Sequence, residues 1–455
     1  MSNRFNLSQR RKLAMSIAIG LAAVSALAAT GSALAATRLS EHRAISWCAD
    51  HCDQVVIDWN ATAYQVIKAA DGYQNPLAAS RALAMMHLAM HEAASTRSFS
   101  APAQSRAQKE ADAAVAAAHA AHDVLAAIYP KQQDGLLAAA LEASLVDAGI
   151  GESTAVGAAV GKAAAQQVLS RRTDDGSAAS EPYQPGSKPG EYRFTPGFDL
   201  LFSPHWRKIK PFALTSPSQF RVPAPPALHS DEYARAYQEV QRVGSDRKDA
   251  RRTPDETHYA AFWYEFSDIG WNRIARTVAR KNKQRLVERA RTFAMLNVAM
   301  ADAYVAGWDS KMHYNLWRPV TAIRLGAEDG NAHTEADAAF TPMLPTPPVQ
   351  DYPSTHSALG AAAATVLAHA FGRDDVRFSF ASSSALPTNP VREFKSFSQA
   401  AQENADSRVR AGLHFRFATN EGLKLGRNIG RHVVETFTRP ADEQLVQAKL
   451  CTTSC

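Results

Sequence analysis

The chain has 455 residues, with 50 Lys and Arg against 44 Asp and Glu and a formal net charge of +6. Four of the basic residues, Arg4, Arg10, Arg11 and Lys12, lie in the first 35 positions, which hold no acid; the remainder carries 46 bases against 44 acids, a balance that gives no argument for a nucleic-acid partner. The length supports a large core, and beyond the N-terminal run no uncharged apolar stretch approaches the ~20 residues of a membrane-spanning helix, so an integral membrane protein is not expected.

Residues 1–35 combine that basic start with an apolar run from Leu13 to Ala29 and the small-residue site Ala33-Leu34-Ala35. This is the layout of a secretory leader cleaved before Ala36, and it predicts a periplasmic or secreted protein. Arg10-Arg11 leaves a twin-arginine route as the alternative to the general pathway. Cysteine occurs only at Cys48, Cys52, Cys451 and Cys455. In an oxidising compartment these are expected as disulfides, with three connectivities open.

From Ala78 to Arg171 the chain is rich in helix formers, with apolar residues recurring at three and four, which predicts several helices. His87 and His91 sit four apart there, a chelating spacing, but Met85, Met86, Leu88 and Met90 around them favour a packed helix face; His119 and His122 are read the same way. Residues 172–228 are rich in proline and interleaved with Tyr183, Tyr192, Phe194, Phe198, Phe202, Trp206 and Phe212. An ordered irregular crossover that buries these rings is predicted. Helices resume near Ser230, Pro254, Trp271 and Asn282, the last being long. Loops are expected over residues 326–352 and 381–391. The pattern as a whole is all-α.

Three short segments carry the chemistry. Lys311 and Arg318 are seven apart, so a continuous helix would turn both cations to one face, ending before Pro319. Pro353-Ser354-Thr355-His356 precedes an Ala-rich helical run, whose first amides form an anion site with the Ser354 hydroxyl. Ser407-Arg408 and His414 follow, with Gly412 allowing a break between the last two. His414 is expected to open the next helix. Cations, histidines and a helix start together suit a tetrahedral or trigonal-bipyramidal oxyanion.

These blocks resemble the signature shared by vanadium-dependent haloperoxidases, type 2 phosphatidic acid phosphatases and bacterial class A acid phosphatases: Lys, six residues, Arg-Pro; Pro-Ser-Gly-His; Ser-Arg, five residues, His, three residues, Asp. The flanks Trp308-Asp309-Ser310 and Pro347-Pro348 resemble the peroxidase branch. The resemblance implies two four-helix bundles packed as one large domain. It divides the chain into a leader (1–35), an N-terminal helical half with the crossover (36–228), a C-terminal half carrying the site (229–440) and a Cys-containing tail (441–455).

The same resemblance implies vanadate as cofactor, ligated by His414 Nε2 and surrounded by Lys311, Arg318, Arg408, Ser354 and the Thr355 amide, with His356 as acid and base. Hydrogen peroxide would then oxidise a halide to hypohalous acid, or act on a small organic acceptor. The alternative is a secreted acid phosphatase, in which phosphate takes the same pocket, His414 attacks phosphorus and His356 protonates the leaving alcohol. A non-catalytic oxyanion-binding protein is a second alternative. The sequence departs from the pattern at Thr355, where glycine is usual, at Val349, where fungal and algal peroxidases place an aromatic residue or histidine, and at Ala418, where an Asp would orient the histidine. A backbone carbonyl is the expected substitute for that Asp.

Overall fold

The computed structural model describes residues 52–96, 106–148, 154–384 and 386–438. The leader, Cys48, Cys451 and Cys455 lie outside these residues. Cys52 is buried and disulfide-bonded.

Thirteen α-helices and one hairpin make up the regular structure among the described residues. The first five helices are α1 (Gln54–Asp71), α2 (Pro76–Ala94), α3 (Arg106–Ile128), α4 (Ala138–Ala148) and α5 (Thr154–Arg171). Asn75 caps α2 by accepting from the Ala78 amide, with Pro76 in the first turn where its missing N–H costs nothing. After the crossover come α6 (Asp231–Val243), α7 (Pro254–Phe262), α8 (Ser267–Ala279), α9 (Leu286–Tyr314) and α10 (Pro319–Arg324), then α11 (Thr355–Ala370), α12 (Phe397–Arg410) and α13 (Arg416–Thr438).

One helix organises the rest. Every residue of α9 from Thr292 to Trp308 is buried, as befits a helix that is apolar on all sides and covered by others. It packs on α2, which with α1, α3 and α5 forms the first bundle, and also on α11 and α13, which with α12 complete the second. The fold is therefore all-α, two bundles joined through a shared central helix.

Residues 172–228 have no regular structure beyond a short 3₁₀ turn at Pro204–Lys208. They are held instead by buried Asp302 of α9, whose carboxylate accepts from the amides of Phe212, Ala213 and Leu214 at 2.7, 2.8 and 3.0 Å. Tyr192 and Trp206 are buried as expected, but Phe198 is 44% exposed, because it stands at the rim of a cleft. Two further features differ from the sequence reading. The 381–391 loop joins two antiparallel strands, β1 (Phe378–Ala381) and β2 (Val391–Phe394), and α9 stops at Tyr314, where Asn315 turns left-handed at φ +49°.

His87 is buried and receives the Asn60 side-chain amide at 2.8 Å, its ring lying against Phe293. Asn60 in turn reaches Asn272, which pairs with Asn297, so this network ties α1, α2, α8 and α9 together. Burial, with help from Arg276, lowers the His87 pKa to about 3. The unfolded chain takes up this proton first, so the contribution of His87 to stability is complete above pH 6.5 and falls by about 1.4 kcal/mol per unit as pH drops from there toward 3. His87→Gln, which keeps an acceptor for Asn60, is expected to remove that component, measured as the difference in urea midpoints between variant and wild type from pH 7 to 5.

Candidate active site

The three sequence blocks converge at one end of the second bundle. Lys311 lies in the last turn of α9, and Arg318 is the N-cap of α10, so the two cations come from different elements rather than from one face of a continuous helix. The turn at Asn315 brings them together. Lys311 Nζ donates to the carbonyls of Gln350 and Asp351, while Arg318 Nε donates to Val349 O at 2.6 Å and its Nη1 to Leu413 O at 2.8 Å. Both side chains are fully enclosed, their charge facing backbone dipoles instead of water.

Ser354 caps α11: its Oγ accepts from the Ser357 amide and hydroxyl, leaving its own proton to donate. His356 donates Nε2–H to the Trp263 carbonyl at 2.8 Å, which fixes the tautomer and leaves Nδ1 as the acceptor. Arg408, near the C-terminus of α12, is buried, yet its Nε and Nη1 have no hydrogen-bond partner among the described residues. Such donors are rare in a folded chain, and an anion is the kind of group that satisfies them.

Gly412, at φ +79°, breaks the chain after α12 as expected, but His414 precedes α13 by two residues rather than opening it. Arg318 Nη1 lies 2.9 Å from His414 Nε2 and 3.3 Å from Nδ1, and Nδ1 lies 2.9 Å from Asp351 Oδ1. The carboxylate of Asp351, buried and given no role by the sequence reading, thus stands beside the imidazole. No backbone carbonyl takes that position.

Burial dominates the electrostatics. It pushes the pKa values of Lys311, His356 and His414 well below their usual ranges, with neighbouring cations adding to each effect, and lowers Arg408 to about 10. It raises Asp351 to about 7, against the pull of Arg318 and Lys311. Both histidines are therefore neutral at pH 7, and Lys311, Arg318 and Arg408 cluster around the carboxyl group of Asp351. The cleft above them has a volume of about 430 Å³; Arg318, Thr355, His356, Arg408 and His414 form its floor, and Leu77, Phe202, Phe266, Tyr304, Trp308 and Val349 line its walls.

Residues 291–443 match the family model described as the VCPO second helical-bundle domain. The vanadium chloroperoxidase of Curvularia inaequalis is 25% identical, over 80% of this chain and 78% of its own length. A bacterial vanadium-dependent iodoperoxidase structure superposes with a TM-score of 0.68 at 27% identity, covering 84% of this chain and 96% of that one. The chain is thus similar in sequence and in fold to vanadium haloperoxidases. A bacterial vanadium-dependent chloroperoxidase shares the fold at 18% identity, with a TM-score of 0.64 over 82% of this chain and 94% of that one.

One of the chain's departures from the haloperoxidase pattern, Thr355, has a local explanation. Thr355 needs no positive φ, since it is the first residue of helix α11. Its methyl group fits because residue 307 is glycine: a Cβ on Gly307 would lie 2.2 Å from Thr355 Cγ2. Trp308 both packs in the core and walls the cleft, its Nε1 donating to Phe202 O at 3.2 Å. Glu265, Phe266 and Tyr304 also line the cleft; nothing in their sequence spacing singles them out.

Gly307→Ala is expected to destabilise the protein by about 1–3 kcal/mol through overpacking, and Gly307→Ala with Thr355→Gly to regain most of that loss. Denaturant melts of the three variants check the pairing. Equal destabilisation in the single and double variants would contradict it.

Proposed function

We propose that the protein is a vanadate-dependent haloperoxidase in which His414 ligates the metal. The observation that carries this reading is the pair of buried Arg408 donors without a partner among the described residues, at a cleft whose floor also holds Arg318 and two neutral histidines, His356 and His414. These residues fit a compact oxyanion by charge and by donor count. The likeness to vanadium chloroperoxidase over four-fifths of the chain supports vanadate over phosphate.

In this reading Arg408, Arg318 and the third ammonium proton of Lys311 balance the negative charge on the anion's oxygens, and the Ser354 hydroxyl and Thr355 amide donate to the same oxygens. His414 offers the Nε2 lone pair. Bound vanadate supplies Lewis-acid activation of hydrogen peroxide toward a halide ion, yielding hypohalous acid without a change in the metal's own oxidation state. His356, neutral and anchored through Nε2–H, takes a proton from peroxide at Nδ1 and returns it to the departing oxygen. The apolar walls exclude bulk water and leave room for a halide or a small organic acceptor. The leader layout of residues 1–35 adds export to the periplasm or medium to this reading.

One observation favours a second reading. A carboxylate beside His414 Nδ1 is what a histidine attacking phosphorus requires, so hydrolysis of phosphate esters through a phosphohistidine is the competing activity. His414→Ala is expected to lose vanadium on dialysis while keeping its helix content. His356→Ala should retain vanadium but turn over on the order of a hundredfold more slowly. Wild-type vanadium retention by His414→Ala would remove the ligand assignment, and unchanged turnover in His356→Ala would remove the proton-transfer role.

A further inference from the structure

The signature carboxylate four residues after the histidine is missing. Ala418 occupies that place, fully buried, with its carbonyl taken by the Ser354 amide at 2.9 Å. We propose that Asp351 does the absent residue's work from another part of the chain: it is the positioning residue of His414, keeping the ring proton on Nδ1 and the Nε2 lone pair turned toward the oxyanion. The inference rests on His414 being the vanadate ligand.

Four observations support it. The Asp351 backbone is pinned on both sides, its amide donating to Leu316 O at 3.0 Å and its carbonyl accepting from Lys311 Nζ at 3.1 Å, so the side chain has a fixed origin. Its carboxylate is buried, with the Phe415 amide close enough to lower its pKa against the effect of burial. Besides that amide, His414 Nδ1 lies 2.9 Å from it and, farther off, Arg318 Nη1 lies at 3.8 Å. Finally, Arg318 Nη1, which can only donate, lies 2.9 Å from His414 Nε2 and 3.3 Å from Nδ1, nearer the nitrogen that the proposal leaves unprotonated. In ligand-free sites such contacts are commonly short of full alignment.

A bland role for Asp351 makes the opposite prediction. If it only offset the charge of Lys311 and Arg318, neutralising it would make the pocket more positive and strengthen binding of every anion. A positioning role weakens only an anion that bonds to the imidazole. Asp351→Asn separates the two cases, with vanadate binding followed by equilibrium dialysis and sulfate binding by calorimetry. The expected result is a ten- to hundredfold weaker vanadate affinity, with sulfate bound as well as before or more tightly. Vanadate and sulfate affinities that both hold or both rise would overturn the proposal, as would a parallel loss of both.

The wild type provides a reading that does not depend on any variant folding. Nitrogen-15 NMR of the vanadate-free protein at pH 8 should show the His414 ring proton on Nδ1; a proton on Nε2 would overturn the proposal. If wild-type protein bound no vanadate, the ligand role of His414 would fail instead, while the ring measurement would still decide the part played by Asp351.

Discussion

The site depends on one electrostatic constraint: Lys311, Arg318 and Arg408 are all buried within reach of one another, and Asp351 is the carboxylate among them. Isolated buried charges are costly, and the chain offsets that cost with backbone dipoles. The carbonyls of Val349, Gln350 and Asp351, followed by Leu413, are directed at Lys311 and Arg318. That arrangement sets the path of the segment before α11, which passes both cations with the carbonyls of Val349, Gln350 and Asp351 turned toward them. Arg408 receives no such compensation. The remaining positive charge suits a multiply charged oxyanion better than a neutral ligand.

The fold serves that constraint through α9. Its buried length sets Lys311 beside Arg318 and the carbonyls of residues 350 and 351, Trp308 and Tyr304 on the wall of the cleft, and Gly307 where the first turn of α11 must approach. Asp302, on the same helix, fixes the crossover whose Phe198 and Phe202 form part of the cleft. A helix apolar enough to join two bundles thus also carries the polar residues that align the site. The cleft combines a charged floor with apolar walls, a low-dielectric setting in which each charge-assisted hydrogen bond to an anion is stronger than it would be in water.

Much of this was legible in the sequence, because the three blocks are local strings whose residues keep their order and spacing. The long helix ahead of Lys311, the N-cap at Ser354 and the break at Gly412 follow from local chemistry, and all three are present. What escaped has a common cause. Asp351 meets His414 across two segments that no periodicity links, and Gly307 accommodates Thr355 from a different helix, so neither pairing leaves a trace in spacing. The early end of α9 turns on a single left-handed asparagine, a conformation that Asn permits without requiring. Phe198 looked like core by composition, yet it faces the cleft. The hairpin after α11 was hidden because its strands are only four residues each.

The central claim is that this pocket binds vanadate and uses it for redox chemistry rather than for phosphoryl transfer. The most direct measurement is to assay one preparation of purified, vanadate-loaded protein in parallel for peroxide-dependent halogenation of an activated diketone and for hydrolysis of an aryl phosphate. The account predicts halogenation that requires both vanadate and peroxide, with little ester hydrolysis. Efficient phosphate-ester hydrolysis without halide oxidation would contradict it and identify the protein as a phosphatase.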